Sequence, residues 1–199
     1  MNTQFAFDLD GTVTSQELLP LIASQLGLLS EMQLLTRLTI DGTIDFEQSF
    51  RLRCAILQSL PISLVQEIVA DVPLNPDISR FIAANKDQCT VVTGNLDVWI
   101  RPILDRLGCR FYSSTCFTDG DRLQRLDRVL HKSKAVHELK RLGMRVVAIG
   151  DGANDVPMFE AADIGIAYGG VHSPAPALAD ISDYLTFDGG ALCRLLSTL

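Results

Sequence analysis

Asp8 and Asp10 stand two residues apart in the stretch Phe5-Ala-Phe-Asp8-Leu-Asp10-Gly11-Thr12. The preceding run, Gln4 to Phe7, is short, mostly apolar and aromatic, which suits a buried strand, and Gly11 punctuates its end. Two acids so placed at a strand exit are costly unless a cation neutralises them. The chemistry they could do is to hold magnesium while one acid attacks phosphorus. A simpler account of the same residues is an Asx-turn with Gly11 supplying backbone freedom. Three further polar pieces follow in order: Thr93-Gly94-Asn95, Lys134, and Asp151 with Asn154 and Asp155. Phosphoryl transfer uses such groups: a carboxylate nucleophile, a hydroxyl, loop N–H groups and a lysine on the phosphoryl oxygens, and few carboxylates on the metal.

The elements that must position these groups alternate between strand and helix. Strands are expected at Gln4–Phe7, Cys89–Val92, Arg110–Ser113, Arg145–Ile149 and Ile164–Ala167, with Tyr184-Leu185 as an edge. Thr115 to Leu126 reads as a hairpin turning at Asp119-Gly120. Helices follow at 77–86, 96–107, 135–142, 156–162 and 190–196. Between Ser15 and about Val72 the pattern is helical throughout, with four short amphipathic segments. The first is opened by Thr14-Ser-Gln-Glu17, which has the form of a capping box. The expected fold is therefore α/β, a doubly wound, mostly parallel sheet built from residues 1–14 and 73–199. A small helical cap, 15–72, is inserted after the first strand.

Within that frame Lys134 falls in the first turn of a helix, where a cation opposes the dipole and a bound anion would explain it; Lys132 is its competitor. Thr93-Gly94-Asn95 serves equally as a strand-to-helix turn with Asn95 as N-cap. Arg53 lies seven residues after Phe46 and three after Phe50, on the apolar stripe of the third cap helix. A charge there calls for an anionic partner or for a stem that reaches solvent.

The chain has 199 residues, enough for a core plus a small cap, and 47% are hydrophobic. A formal net charge of −7 argues against a nucleic-acid backbone as partner. No apolar run approaches a membrane span, and Met1-Asn-Thr-Gln lacks the basic start of a secretory signal. Five dispersed cysteines without a C-x-x-C pair read as reduced thiols of a cytoplasmic protein.

Asp8-Leu-Asp10-Gly-Thr12, Thr93, Lys134 and Gly150-Asp-Gly-Ala-Asn-Asp155 together resemble the four ordered motifs of the haloacid dehalogenase superfamily of phosphatases. The likeness extends to its phosphoserine phosphatase branch and covers nearly the whole chain. It implies a Rossmann-like core with Asp8 as nucleophile and Asp10 as general acid/base. Mg2+ would be held by Asp8, the Asp10 carbonyl and Asp151. Thr93, Gly94 and Lys134 would bind the phosphoryl group, with Asn154 and Asp155 orienting the site and Asn154 at the phosphate. Glu17 matches the branch's carboxylate for the substrate amine and Arg53 its arginine for the substrate carboxylate; Phe46 and Ile40 would wall the pocket. Where the branch usually has Ser-Gly-Gly, this chain has Thr93-Gly94-Asn95, so Asn95 adds a side chain beside the substrate. The implied substrate is a small phosphorylated metabolite: O-phosphoserine, or a sugar acid or amino alcohol phosphate. A non-catalytic binding protein on the same fold is the alternative of a different class.

Overall fold

A computed structural model describes residues 2–199. Seven strands form one sheet in the order β4-β3-β2-β1-β5-β6-β7. They are β1 (Thr3–Phe7), β2 (Cys89–Leu96), β3 (Arg110–Asp119), β4 (Arg122–Arg128), β5 (Arg145–Gly150), β6 (Ile164–Tyr168) and β7 (Tyr184–Thr186). Every neighbouring pair is parallel except β3 with β4, which form the hairpin. β1 is central, with Phe5 opposite Cys89 on one side and Val147 on the other.

Side chains alternate along these strands, and both faces are covered. Phe5 and Phe7, with Val147 and Ile149, enter one apolar layer; Ala6, Val146 and Ala148 enter the other. The first layer is completed by α5 (Pro76–Ala84), α6 (Asp97–Leu107) and α10 (Gly189–Leu196), which contribute Ile78, Trp99, Ile103 and Leu192. The second is completed by α7 (Lys132–Arg141), α8 (Val156–Ala161) and α9 (Pro176–Ala179), through Val136, Leu139, Met158 and Leu178. The mostly parallel, doubly wound α/β sheet expected from the pattern is thus present.

The segment after β1 holds four helices: α1 (Leu18–Ala23), α2 (Leu29–Ile40), α3 (Phe46–Leu57) and α4 (Ile62–Ala70). It joins the sheet side at several places, among them bonds from Gln66 to the Val98 carbonyl and from Arg106 to the Ala70 and Val72 carbonyls. Near its ends, Ser15 N–H donates to the Pro73 carbonyl at 2.9 Å and Asn75 N–H to that of Val13 at 2.8 Å. At its far side the hairpin tip holds the start of α4. Ile62 N–H donates to the Asp121 carbonyl at 2.9 Å, and Ser63 donates to the Asp121 carboxylate through its N–H at 2.8 Å and its hydroxyl at 2.6 Å. Arg122 adds a bond to the Ser59 carbonyl at 2.9 Å.

Two expected boundaries differ. β2 continues through Thr93-Gly94-Asn95 to Leu96, which pairs with Ser114 after a register shift, so these residues are not a turn and Asn95 caps no helix. The Thr14/Glu17 capping box does not form. Thr14 Oγ1 instead contacts the Leu9 and Gln16 carbonyls at 3.1 and 2.8 Å, and the first N–H of α1, Leu18, donates to the Asp10 carboxylate at 3.1 Å.

Candidate active site

The carboxyl ends of β1 and β5 bring the acids together. Asp8 extends the pairing of β1 by donating its N–H to the Ile149 carbonyl at 2.8 Å. The chain then makes a wide turn over Leu9–Val13 in which Gly11 has φ of +72°. A Cβ at Gly11 would lie 2.7 Å from Asp151 Oδ2, so both the turn and the close approach require glycine. Thr12 Oγ1 donates to Asp151 Oδ1 at 3.3 Å from the other side. After β5, Asp155 Oδ2 accepts the N–H groups of Asp151 and Gly152 at 3.1 and 3.0 Å, which closes the loop on itself.

The lysine in this cluster is Lys132, not Lys134. Lys132 is buried, and its Nζ lies 2.5 Å from both Asp8 Oδ1 and Asp155 Oδ1. Lys134 is exposed and faces Tyr112, Arg128 and Glu138 on another surface. The reason is helical phase. α7 starts at Lys132, and its buried face is Lys132, Ala135, Val136 and Leu139, spaced at i, i+3, i+4 and i+7. Lys134 falls off that stripe. The approach to Lys132 is braced by Ser114, whose hydroxyl donates to the Gly94 carbonyl at 2.6 Å and accepts the Leu130 N–H at 2.9 Å.

Charge in the cluster is unbalanced. Carboxylate oxygens of Asp8, Asp151 and Asp155 lie within 4.8 Å of one another, all buried. Burial, and then repulsion from Asp155, pushes the Asp8 carboxyl up to about 7 despite Lys132. Burial and the charge of Asp8 raise Asp151 well above the carboxylate range. Asp10, which keeps part of its surface in the cavity, is raised well above it by burial and the charges of Glu17 and Asp8. For Lys132, burial favours the neutral amine, but Asp155 and Asp8 outweigh it and keep the ammonium form. An all-oxygen donor set short of positive charge fits a hard divalent cation.

β2 and the helical insert complete the cavity, a space of about 50 Å3 lined by Asp8, Asp10, Glu17, Thr93, Arg53 and Asp151 among others. Gly94, Asn95, Asn154, Ile40 and Phe46 reach it too. Phe46 stacks on Phe50 with centroids 5.6 Å apart and presses on Gly94, where a Cβ would lie 2.1 Å from Phe46 Cζ. Arg53 is buried on α3; its Nη2 donates to Thr39 Oγ1 at 3.0 Å, and its Nε has no hydrogen-bond partner. Burial lowers its pKa, with the charges of Glu17 and Asp10 opposing. Asn95, expected at the substrate, spends its side-chain amide on Asp10 Oδ2, with Nδ2 2.5 Å away. Glu17 caps nothing; its Oε1 lies 3.4 Å from His172 Nε2, an ion-pair contact that raises the histidine's pKa. Thr39, Ser114 and His172 are residues at the site that the sequence pattern did not single out, and Lys132 entered it only as the competitor of Lys134. Only Lys132 carried a signal, its phase with Ala135 and Leu139.

Residues 5–160 match the family model of the haloacid dehalogenase-like hydrolases. Among curated proteins, the chain is 30% identical over 175 residues to a phosphoserine phosphatase of Methanocaldococcus jannaschii, covering 81% of this chain and 83% of that protein. It is 30% identical over 174 residues to the phosphoserine phosphatase of Streptomyces coelicolor, covering 81% of this chain but 42% of that one. The chain thus spans less than half of that longer relative. Among solved structures, a substrate-bound phosphoserine phosphatase complex superposes with a TM-score of 0.86 at 25% identity, covering 100% of this chain and 99% of the other. A phospho-aspartyl intermediate analogue of phosphoserine phosphatase gives 0.84, also at 25% identity, with the same coverage of both chains. With the carboxylates, the lysine and the sheet already arranged as described, this chain belongs to the haloacid dehalogenase-like hydrolase family.

Proposed function

We propose that the chain is a magnesium-dependent phosphomonoester hydrolase that works through an aspartyl-phosphate on Asp8, with O-phosphoserine as its leading substrate. The observation that carries this reading is the junction of two unlike halves in one cavity. Asp8 sits among Lys132, Asp151 and Asp155 on the sheet side, and the Arg53 guanidinium, without a carboxylate partner at hydrogen-bond distance, faces it from the helical insert, which acts as a cap. The first half suits a phosphoryl group and the second a substrate carboxylate.

In the first step an Asp8 carboxylate oxygen bonds to phosphorus as the ester P–O bond breaks. The departing alkoxide takes its proton from Asp10, whose carboxyl is pushed toward the protonated form by burial and by the charges of Glu17 and Asp8. In the second step Asp10, now a carboxylate, takes a proton from water. The water oxygen bonds to phosphorus, the acyl-phosphate bond breaks, and Asp8 is regenerated with inorganic phosphate. Lys132 holds one Asp8 oxygen throughout, and Thr93, Gly94 and Asn154 line the place of the phosphoryl oxygens. Asp8, Asp151 and the Asp10 carbonyl would hold the magnesium ion, which supplies charge neutralisation at the phosphoryl group. Glu17 is assigned to the substrate ammonium group.

The contact of Glu17 with His172 favours a second reading on the same chemistry: a carboxylated phosphoester without an ammonium group, such as a sugar acid phosphate, since His172, when protonated, matches the Glu17 charge. A panel of O-phosphoserine, sugar acid phosphates and amino alcohol phosphates, assayed for released phosphate with magnesium and with chelator, tests both. Magnesium-dependent release of phosphate, fastest from O-phosphoserine, is the expected result. Preference for a sugar acid phosphate selects the second reading. No turnover of any member, para-nitrophenyl phosphate included, leaves a binding protein.

A further inference from the structure

Asn95 sits at the far end of β2, buried and in extended backbone, with its N–H donating to Thr93 Oγ1 at 3.2 Å. Its side-chain Nδ2 donates to Asp10 Oδ2 and lies 3.5 Å from Thr93 Oγ1. While Asp10 is ionised, a flipped amide would set an oxygen against that carboxylate, so in that state the nitrogen faces it. The other Asp10 oxygen, Oδ1, accepts the Leu18 N–H at 3.1 Å. The two anchors come from different bodies. Leu18 opens α1 of the cap, whereas Asn95 belongs to a sheet strand paired with β1 and β3. If the cap shifts to admit substrate or release the alcohol, the Leu18 anchor shifts with it and the Asn95 anchor does not.

We propose that Asn95 is a positioning residue that holds the Asp10 carboxylate from the sheet side, so that Asp10 stays aligned for both proton transfers whatever the cap does. This rests on the aspartyl-phosphate reading above. It reassigns Asn95 from substrate contact to the service of the acid/base. A carboxylate held by one oxygen can turn about its Cβ–Cγ bond, and a misplacement of about 1 Å can cost 100-fold in rate. The effect should appear only where Asp10 moves a proton. An alkyl phosphate needs it in both steps. An aryl phosphate needs it only in the second, because its leaving group departs without a proton.

The test is Asn95→Ala, with Asn95→Ser as a second variant should the first fold poorly. Each is compared with wild type on O-phosphoserine at steady state and on para-nitrophenyl phosphate in a single turnover with enzyme in excess. Wild-type turnover establishes the underlying reading, and its absence on both substrates is the failure of that reading, not of this one. Given wild-type turnover, the expected result is a kcat on O-phosphoserine lower by about 10- to 100-fold with KM within about threefold. The single-turnover release of nitrophenol should stay within about threefold of wild type, which also reports an intact nucleophile and phosphoryl pocket. Three results overturn the proposal: unchanged kcat on O-phosphoserine, a raised KM with kcat preserved, or nitrophenol release slowed as much as phosphoserine turnover. The second of these would return Asn95 to the substrate.

Discussion

Lys132 Nζ and Asp8 Oδ1 are 2.5 Å apart, and the same ammonium reaches Asp155 at the same distance, so one lysine joins the end of β1 to the loop after β5. Loss of that cation leaves buried acids facing one another. Lys132→Ala is expected to cost about 3–5 kcal/mol of stability, the usual effect of removing one partner from a buried pair, and at least 100-fold in turnover. Lys134→Ala, on the exposed face of α7, should stay within a few-fold of wild type on both counts. Chemical denaturation and initial rates on para-nitrophenyl phosphate, measured on the two variants side by side, check this. Equal losses would show that the surface lysine shares the role.

Asp8→Asn should abolish turnover, because an amide does not displace the ester oxygen. It should leave the fold intact, since one of several mutually repelling acids becomes neutral. Acid-quenched wild type incubated with labelled phosphoester should carry a covalent phosphate and the variant none. Retained activity in pure Asp8→Asn protein would sink the covalent route.

The metal-free protein should lose stability as pH rises from about 4 to about 7. Asp8 is raised in the fold from its ordinary 3.8 to about 7, so in that window the folded state binds more protons than the unfolded state. Stability therefore falls with pH until Asp8 is ionised in both states. Asp10 and Asp151, raised for similar reasons, extend the loss in the same direction. Magnesium should reverse it, with a larger rise in thermal midpoint at pH 8 than at pH 5. A midpoint shift that is the same at both pH values would argue against a cation at this cluster.

Arg53→Ala should act on substrate choice. Its guanidinium contacts Thr39 and faces the cavity, so a substrate carboxylate would form a charge-assisted pair with it. Losing that pair costs about 2–5 kcal/mol, at least tenfold in KM for O-phosphoserine. Para-nitrophenyl phosphate has no carboxylate and should be turned over at nearly the wild-type rate. Parallel losses on both substrates would place Arg53 in the chemistry or the fold instead.

The alternation of strands and helices and the four-helix insert were legible because strand and helix periods differ and Gly or Asp closes most elements. What escaped was tertiary. Thr93-Gly94-Asn95 looks like a turn by composition, yet Leu96 finds Ser114 across the sheet and keeps the backbone extended. Thr14 and Glu17 match a capping box, yet Asp10 reaches Leu18 first, and no spacing rule foretells a cap supplied from the preceding turn. Lys132 was available to periodicity alone, since it shares the buried stripe of Ala135 and Leu139, but the motif spacing drew the assignment two residues onward.

The four-helix insert is tied to the sheet side at Ser63–Asp121, at Gln66–Val98 and at Ala70–Arg106. At the α2–α3 connection, Gly42, Ile44 and Asp45 border a second opening with Leu130, His131 and Asn154, where Glu47 lies 3.5 Å from His131. The β3–β4 hairpin therefore helps to fix where the insert sits over the cavity. Asp121→Ala would remove the two Ser63 bonds without touching a residue that lines the cavity.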